Sequence, residues 1–283
     1  MPTPETTERG DRYEAFRALH RGSRPLLLPN AWDHASASAL VARGFTAIAT
    51  TSLGVASALG KPDGQGGGMR DDTVALARRI TRLAALVTVD AEGGFSDDPD
   101  EVAALAAELA AAGVVGMNLE DGRSDGTLAD LGFQRAAISA VKAAVPDMFV
   151  NARTDAFWLG TPDGKPLDET LRRCAAYVEA GADGVFVPGL EDDAVISAVV
   201  GEVAAPVNVL FNPARHTYGR LADLGVARIS CGSLLFRTAL HSAVELAWSI
   251  AEDTYDAGRA AAGVPSYAET QALADPFTGP TAD

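Results

Sequence analysis

Asp90 and Glu92 follow the short apolar run LVTV, and Glu120 ends another, GMNLE. Side chains alternate faces along a strand, so Asp90 and Glu92 share one face, as Asn118 does with Glu120 and Asn151 with Arg153. Three carboxylates brought together at strand ends repel one another unless they are protonated or bridged by a cation. Oxygen donors with no histidine nearby in sequence suit Mg2+ or Mn2+ and not zinc. The plainer use of such carboxylates is to cap helices or to pair with Arg153. That use is the better reading for Asp121 and Asp155, which sit beside turns; for Asp90 and Glu92 metal binding is the better one.

Other strand ends add partners for an anion. Arg153 has a planar fork that can clamp a carboxylate or phosphonate with two hydrogen bonds, and an ion pair with Glu120 is compatible with that role. Thr51, Ser52, Leu53 and Gly54 offer hydroxyls and backbone N–H groups to an oxyanion, although Ser, Thr and Gly are common in any loop. Asp63 lies in the glycine-rich stretch GKPDGQGGGMR (60–70), which reads as a solvated turn or as a mobile lid delivering one carboxylate. Of four histidines, His216 alone falls after a strand on this side, and it reads as a surface residue. Trp32 and Trp158 follow apolar runs and serve either as pocket walls or as packing.

What must position these groups is a repeat. Four Ala-rich or mixed helical runs end in glycine and lead into a short apolar strand: Gly44 into AIATTS, Gly113 into GMNLED, Gly181 into GVFVPG and Gly225 into RISCG. Glycine just past a helix supplies the left-handed residue that ends it. Four further strands fit around them, at 26–29, 86–92, 148–155 and 206–211. Eight short buried strands, most followed by a helix, predict a (β/α)8 TIM barrel, whose chemistry lies at the C-terminal ends of its strands. No G-x-G-x-x-G or P-loop fingerprint follows any strand, which weakens nucleotide readings. The reading is a single α/β-barrel domain: the barrel spans about 12–250, 251–283 is a C-terminal helical extension, and the chain frays after Asp275.

Composition narrows the partners. The 283 residues carry 23 Lys+Arg against 38 Asp+Glu, a net charge of −15, which disfavours nucleic acid and anionic membranes. An anionic small substrate then needs a local positive group, a metal or an arginine. Cys174 and Cys231 are far apart and in no metal-ligand spacing, which suits a reducing cytosol. No apolar run reaches the roughly 20 residues of a membrane span. The only lysines, Lys61, Lys142 and Lys165, lie in no apolar strand, so a Schiff base has poor candidates.

Taken together, PNAWDHASA (29–37), TTSLGVASALGKPDG (50–64), VTVDAEGG (87–94), GMNLED (116–121), NARTDAF (151–157) and AGADGVFVPG (180–189) resemble the isocitrate lyase/phosphoenolpyruvate mutase superfamily over roughly residues 12–250. The resemblance implies an α/β barrel, often tetrameric with its last barrel helix exchanged between subunits. It also implies a divalent metal and an α-oxyacid or α-keto acid passing through an enolate. By position it makes Asp90 a direct metal ligand, with Glu92 and Glu120 holding metal-bound water. It gives Thr51, Ser52 and Leu53 to the substrate carboxylate, Arg153 to substrate and Asp63 to the lid. Departures are visible. The K-K-C-G-H-type loop of the lyases is replaced by DGRSDGTLADLGFQ (121–134), with no lysine and no cysteine, and Pro188-Gly189 stands where those lyases place a glutamate.

The expectation is therefore a Mg2+-dependent lyase (Mn2+ being the alternative metal) of an oxaloacetate- or malate-like acid, with Asp63, Glu120 and Arg153 catalytic. P–C bond chemistry on phosphonopyruvate, or a keto-acid-binding barrel without turnover, are the alternatives. A homodimer or homotetramer is expected, with the helix around 242–257 in its interface.

Overall fold

A computed structural model describes residues 4–64, 66–162, 164–256 and 263–277. Nine parallel strands form one sheet: β1 (Leu26–Leu28), β2 (Asn30–Ala31), β3 (Ala47–Thr50), β4 (Leu86–Asp90), β5 (Gly116–Glu120), β6 (Phe149–Arg153), β7 (Gly184–Val187), β8 (Val207–Leu210) and β9 (Arg228–Ser230). Their order is β1-β9-β8-β7-β6-β5-β4-β3-β2. The eight expected strands are all present, the first divided at Pro29, which lacks an N–H to donate. Its carbonyl still accepts from the Ala49 N–H at 2.9 Å. The two ends of the sheet are thus consecutive pieces of one segment, β1 pairing with β9 and β2 with β3. That closes the sheet into a nearly closed α/β TIM barrel.

Around it run α1 (Pro4–Leu19), α2 (His34–Ala42), α3 (Ser52–Ala58), α4 (Arg70–Ile80), α5 (Pro99–Ala111), α6 (Leu131–Ala144), α7 (Ala156–Leu159) and α8 (Pro166–Glu179). Then follow α9 (Asp193–Glu202), α10 (Tyr218–Asp223), α11 (Leu234–Ala251) and α12 (Tyr267–Ala272). The repeated glycine works as its sequence implies. Gly44, Gly113, Gly181 and Gly225 have φ of 108°, 88°, 106° and 80°. In each case the following residue donates its N–H to the carbonyl five positions back, as Val114 does to Leu109 at 3.0 Å. The chain is thereby turned straight into the next strand.

Outside the strands, Val89, Met117 and Val150 pack on Leu105, Leu109 and Ile138 of α5 and α6. Inside, the bore is apolar at one end and polar towards the other. Leu28, Ala47, Ala49 and Phe149 fill its lower end together with Phe16 of α1. Helix α1, which the sequence pattern did not disclose, crosses the N-terminal mouth. Arg12 donates to the carbonyls of Ala85 and Gly113, Arg9 pairs with Asp147, and Tyr13 donates to Asp183, each partner just before a strand. His20 stacks on Phe149 with ring centroids 4.5 Å apart.

Higher in the bore, Asn151 donates to Asn118 at 2.8 Å and Asn208 to Ser230 at 2.9 Å. Arg228, fully buried, reaches both Ser230 and Asn118. Beyond α12 the chain is not frayed at once, as expected after Asp275. Residues 275–277 form a turn in which Phe277 meets the His34 ring at 5.3 Å, while its carbonyl accepts from Arg82.

Candidate active site

Adjacent strands bring three charged residues to one end of the barrel: Asp90 closes β4, Glu120 closes β5 and Arg153 closes β6, with Asp90 opposite Asn118 and Glu120 opposite Arg153. Glu92 follows two residues after β4. Its φ of 48°, and that of Phe95 at 59°, put two non-glycine residues in the left-handed region within one short turn. Such strain costs of order 1–3 kcal/mol per residue and concentrates at functional sites. The turn is held by the Glu120 N–H donating to the Glu92 carbonyl at 2.8 Å.

Asp90 is anchored on both oxygens, accepting from the Ser52 N–H at 3.2 Å and from Asn118 Nδ2 at 3.4 Å. Thr51 follows β3 as the N-cap residue of α3, and Ser52, Leu53 and Gly54 form its first turn. Gly54 is packed so closely that a Cβ would lie 2.8 Å from both Thr51 and Trp32. The Asp63 residue is exposed on the 60–70 connection, yet its carboxyl end is sheltered beside Ser52, whose side chain hydrogen-bonds to it. Burial and then the Asp90 charge raise its pKa against that hydrogen bond. Glu92 is pushed up to about 7, first by burial and then by Asp90 and Asp63. Glu120 is also raised, by burial above all, with Arg153 pulling the other way.

Arg153 is almost fully committed. Nε and Nη2 donate to the two oxygens of Asp155 at 2.6 and 2.9 Å, and Nη1 lies 2.6 Å from Glu120 Oε2. Asp155 is itself placed by Asp121, which accepts its backbone N–H at 2.8 Å. Asp121, with no exposed surface, accepts on its other oxygen from Tyr177 at 2.6 Å and from Arg173 at 3.1 Å. Gly122 completes the brace by having no side chain, since a Cβ there would fall 2.2 Å from Asp155 Oδ2. Asp155 therefore does pair with Arg153. The Asp121 carboxylate neither caps a helix nor pairs with the Arg153 guanidinium, although its backbone N–H donates to the Arg153 carbonyl at 3.2 Å; its side-chain partners Arg173 and Tyr177 lie on α8, beyond the reach of local pattern.

Among the described residues, no three His, Cys, Asp or Glu side chains converge as a ready metal cage. Glu120 faces Arg153 instead. The donor chemistry nevertheless fits a hard cation: the nearby ligands are all carboxylate oxygens, and the raised Glu92 and Glu120 carry the like-charge cost that a divalent ion offsets.

Two aromatic readings separate. Trp158 is 60% exposed and walls a cavity of about 670 Å3 that begins at Glu92 and Glu120. Trp32 packs against Phe236, centroids 5.5 Å apart. His216 is not at the surface as expected. It is 5% exposed, tucked beside Phe211 with Nδ1 accepting from the Asn212 N–H. The connection after β8 folds back over it, which its sequence neighbours alone do not indicate. Sequence reasoning also passed over Arg123 and Gln134, which line the same cavity.

A profile of the family described as phosphoenolpyruvate phosphomutase matches residues 16–251, nearly the whole barrel. The chain belongs to that family. Its relatives include an uncharacterized protein of Mycobacterium tuberculosis strain H37Rv, 41% identical over 91% of this chain and 95% of the relative. The 2-methylisocitrate lyase of Escherichia coli K12 is 30% identical over 69% of this chain and 68% of its own. The oxaloacetate decarboxylase of Ectopseudomonas mendocina is 29% identical over 85% and 84%. Among solved structures, a protein of Burkholderia cenocepacia J2315 provisionally assigned as a phosphonomutase is 38% identical, with a TM-score of 0.80 over 85% of this chain and 99% of its own. Phosphonopyruvate hydrolase, solved with oxalate and Mg2+, shares the fold at a TM-score of 0.78 and 24% identity, over 93% and 95% of the two chains. The family thus sits in the isocitrate lyase/phosphoenolpyruvate mutase superfamily of enzymes, with lyases, mutases and hydrolases among its members.

Proposed function

We propose that this chain is a divalent-metal-dependent lyase that cleaves a C–C bond of a small 2-oxo or 2-hydroxy carboxylic acid, oxaloacetate-like or malate-like. The observation that carries the reading is the meeting of Asp90, Glu92, Glu120 and Arg153 at one barrel mouth, three acids whose mutual repulsion calls for a cation beside one arginine suited to an anion. Asp90, Glu92 and Glu120 would hold Mg2+ or Mn2+, which supplies Lewis-acid polarisation of a carboxylate and its neighbouring oxygen.

The chain's own residues do the rest. Of the five Arg153 N–H groups, two serve Asp155 and one faces Glu120. The remaining two, one on each terminal nitrogen, are left for the substrate's developing negative charge. Thr51, Ser52, Leu53 and Gly54 receive the carboxylate at the opening turn of α3. Decarboxylation needs no acid, because CO2 departs as the electron pair passes into the enolate. Retro-aldol cleavage of a hydroxy acid needs a base for the hydroxyl proton; Asp63, sheltered beside Ser52, or a water held by Glu120 would supply it. The replaced loop at 121–134 lacks lysine and cysteine, so protonation of the second product falls to water or Glu120.

The test is a panel run with and without Mg2+. Pyruvate or CO2 from oxaloacetate, or a 2-oxo acid from substituted malates, supports the lyase. Phosphate from phosphonopyruvate assigns P–C chemistry instead, and oxalate binding without turnover of any acid leaves a sensor.

Assembly belongs to the same reading: a homodimer or homotetramer built on α11. Leu240, Val244 and Trp248 recur every four residues along that helix and are 52%, 63% and 64% exposed. An apolar stripe of that kind marks a partner surface. The helix ends at Ala251, and Ala257, the end expected for this interface segment, lies outside the described residues. Light scattering should give two or four times the 29.2 kDa of one chain, and a 29.2 kDa particle would count against it. Free, buried Cys174 and Cys231 support a cytosolic protein, and no described helix is long and apolar enough to cross a membrane.

A further inference from the structure

The cavity beside the acidic cluster extends the lyase reading, on which this inference rests, to the length and charge of the acid. Its volume of about 670 Å3 falls in the range of about 300–1,000 Å3 that holds drug-sized ligands, far more than a four-carbon acid fills. It starts at Glu92 and Glu120 and is walled by Phe95, Phe133 and Trp158, which come from the connection after β4, the first turn of α6 and α7. These rings give an apolar spacer its surface in a lining that also holds Asp97, Asp121 and Asp155.

Arg123 is the one cation among the described residues lining the cavity. It sits at the base of a tight hairpin, its N–H donating to Thr127 at 2.9 Å and its carbonyl accepting from Gly126 at 2.9 Å. The guanidinium lies over the Phe133 ring, 5.4 Å from its centroid, and Nη1 is 2.5 Å from Asp97 Oδ1. Asp97 is 81% exposed. A pair so open to water contributes only about 0.2–1 kcal/mol, so a ligand carboxylate entering the cavity exchanges with it at little cost. One uncharged polar residue of the wall is buried. Gln134, 1% exposed, donates through Nε2 to the Leu119 carbonyl at 3.3 Å, while its buried Oε1 has no hydrogen-bond partner among the described residues.

We propose that Arg123 is a specificity-determining residue that receives a second, distal carboxylate of the substrate, carried past Phe95, Phe133 and Trp158 on an apolar spacer. The substrate class is then a dicarboxylic or tricarboxylic acid longer than four carbons, its reacting end at Arg153 and its far end at Arg123. Asp97 competes for the same guanidinium and holds it in place until the acid arrives.

Calorimetry on the full chain with Mg2+ tests this with three probes. Oxalate reports the reacting end alone. The six-carbon acids 2-hydroxyadipate and 2-hydroxyhexanoate match in length and differ only in the distal carboxylate. The wild type should prefer 2-hydroxyadipate by about ten- to a hundredfold, the range of a hydrogen-bonded charge pair. Arg123→Gln should abolish that preference, Asp97→Asn should enlarge it several-fold, and neither should move oxalate affinity. Equal binding of the two six-carbon acids by the wild type, or a preference that survives Arg123→Gln, overturns the proposal while leaving the lyase reading standing if oxalate binds. Failure of the wild type to bind oxalate removes the lyase reading, and this inference with it.

Discussion

Asp90 is oriented before any ligand is present, one oxygen held by the Ser52 N–H and the other by Asn118. Neither partner carries a charge, so the carboxylate keeps its affinity for a cation. Asp90→Ala should abolish Mn2+ binding in a titration followed by electron paramagnetic resonance. The thermal midpoint should hold or rise, because the change relieves repulsion with Glu92 and Asp63. Unchanged Mn2+ affinity would remove Asp90 from the site. Asp63 differs in lying on an exposed connection, held by hydrogen bonds from the Ser52 side chain and the Gly64 backbone. Asp63→Asn should lower kcat by roughly a hundredfold if it takes the hydroxyl proton, with oxalate affinity little changed. A variant that turns over at the wild-type rate makes the connection a cover only, and the base must then be sought in Glu120 or water.

At the scale of elements, the arginine at the end of β6 depends on a helix two elements further along. Tyr177 and Arg173 of α8 hold Asp121 after β5, Asp121 holds the Asp155 backbone, and Asp155 fixes one edge of Arg153 through Nε and Nη2. Removing one donor from a carboxylate with no exposed surface leaves part of its desolvation cost unmet, about 1–3 kcal/mol. Tyr177→Phe should therefore lower unfolding stability by that amount in urea. It should also weaken oxalate binding, because the Asp155 clamp loosens. Loss of stability with oxalate affinity intact would mean the brace serves the fold and not the site.

Across the whole molecule, the plug at the opposite mouth sets an acid limit. Burial pushes His20 down to about 3, the Arg228 charge adding to the effect and the hydrogen bond to the Phe16 carbonyl opposing it. Between its ordinary value of 6.5 and about 3, the unfolded chain binds a proton that the folded one refuses, so His20 costs stability as pH falls through that window. Glu92 acts oppositely: its raised pKa gives stability present below 4.5 and lost as pH rises towards about 7. Comparing the wild type with His20→Phe isolates the first effect, since phenylalanine suits a place between Phe16 and Phe149. From pH 6.5 to about 5 the wild type should lose roughly 2 kcal/mol more than the variant in urea titrations. Parallel losses would show that water reaches His20.

The helix–glycine–strand repeat was legible because its signals are local. A left-handed glycine, a run of helix formers and an apolar stretch each act on near neighbours, and all four glycine caps form. The strand ends were legible for the same reason, since a period of two places Asn118 with Glu120 and Asn151 with Arg153 whatever the rest of the chain does, whereas Glu92 lies past the end of β4 and owes its place to a left-handed turn. Closure of the sheet decided what those groups meet. Asp121 finds Arg173 and Tyr177, 52 and 56 residues away. Arg228 crosses to Asn118, 110 residues distant, and the polar helix α1 becomes a plug through Phe16 and His20. Arg123 and Gln134 looked like ordinary loop and helix residues until two connections folded a cavity between them. Sequence thus determines which residues stand at the barrel's rim. Only the tertiary structure decides which are paired, which stay open to a ligand and which are buried, because those depend on contacts between segments that share no local pattern.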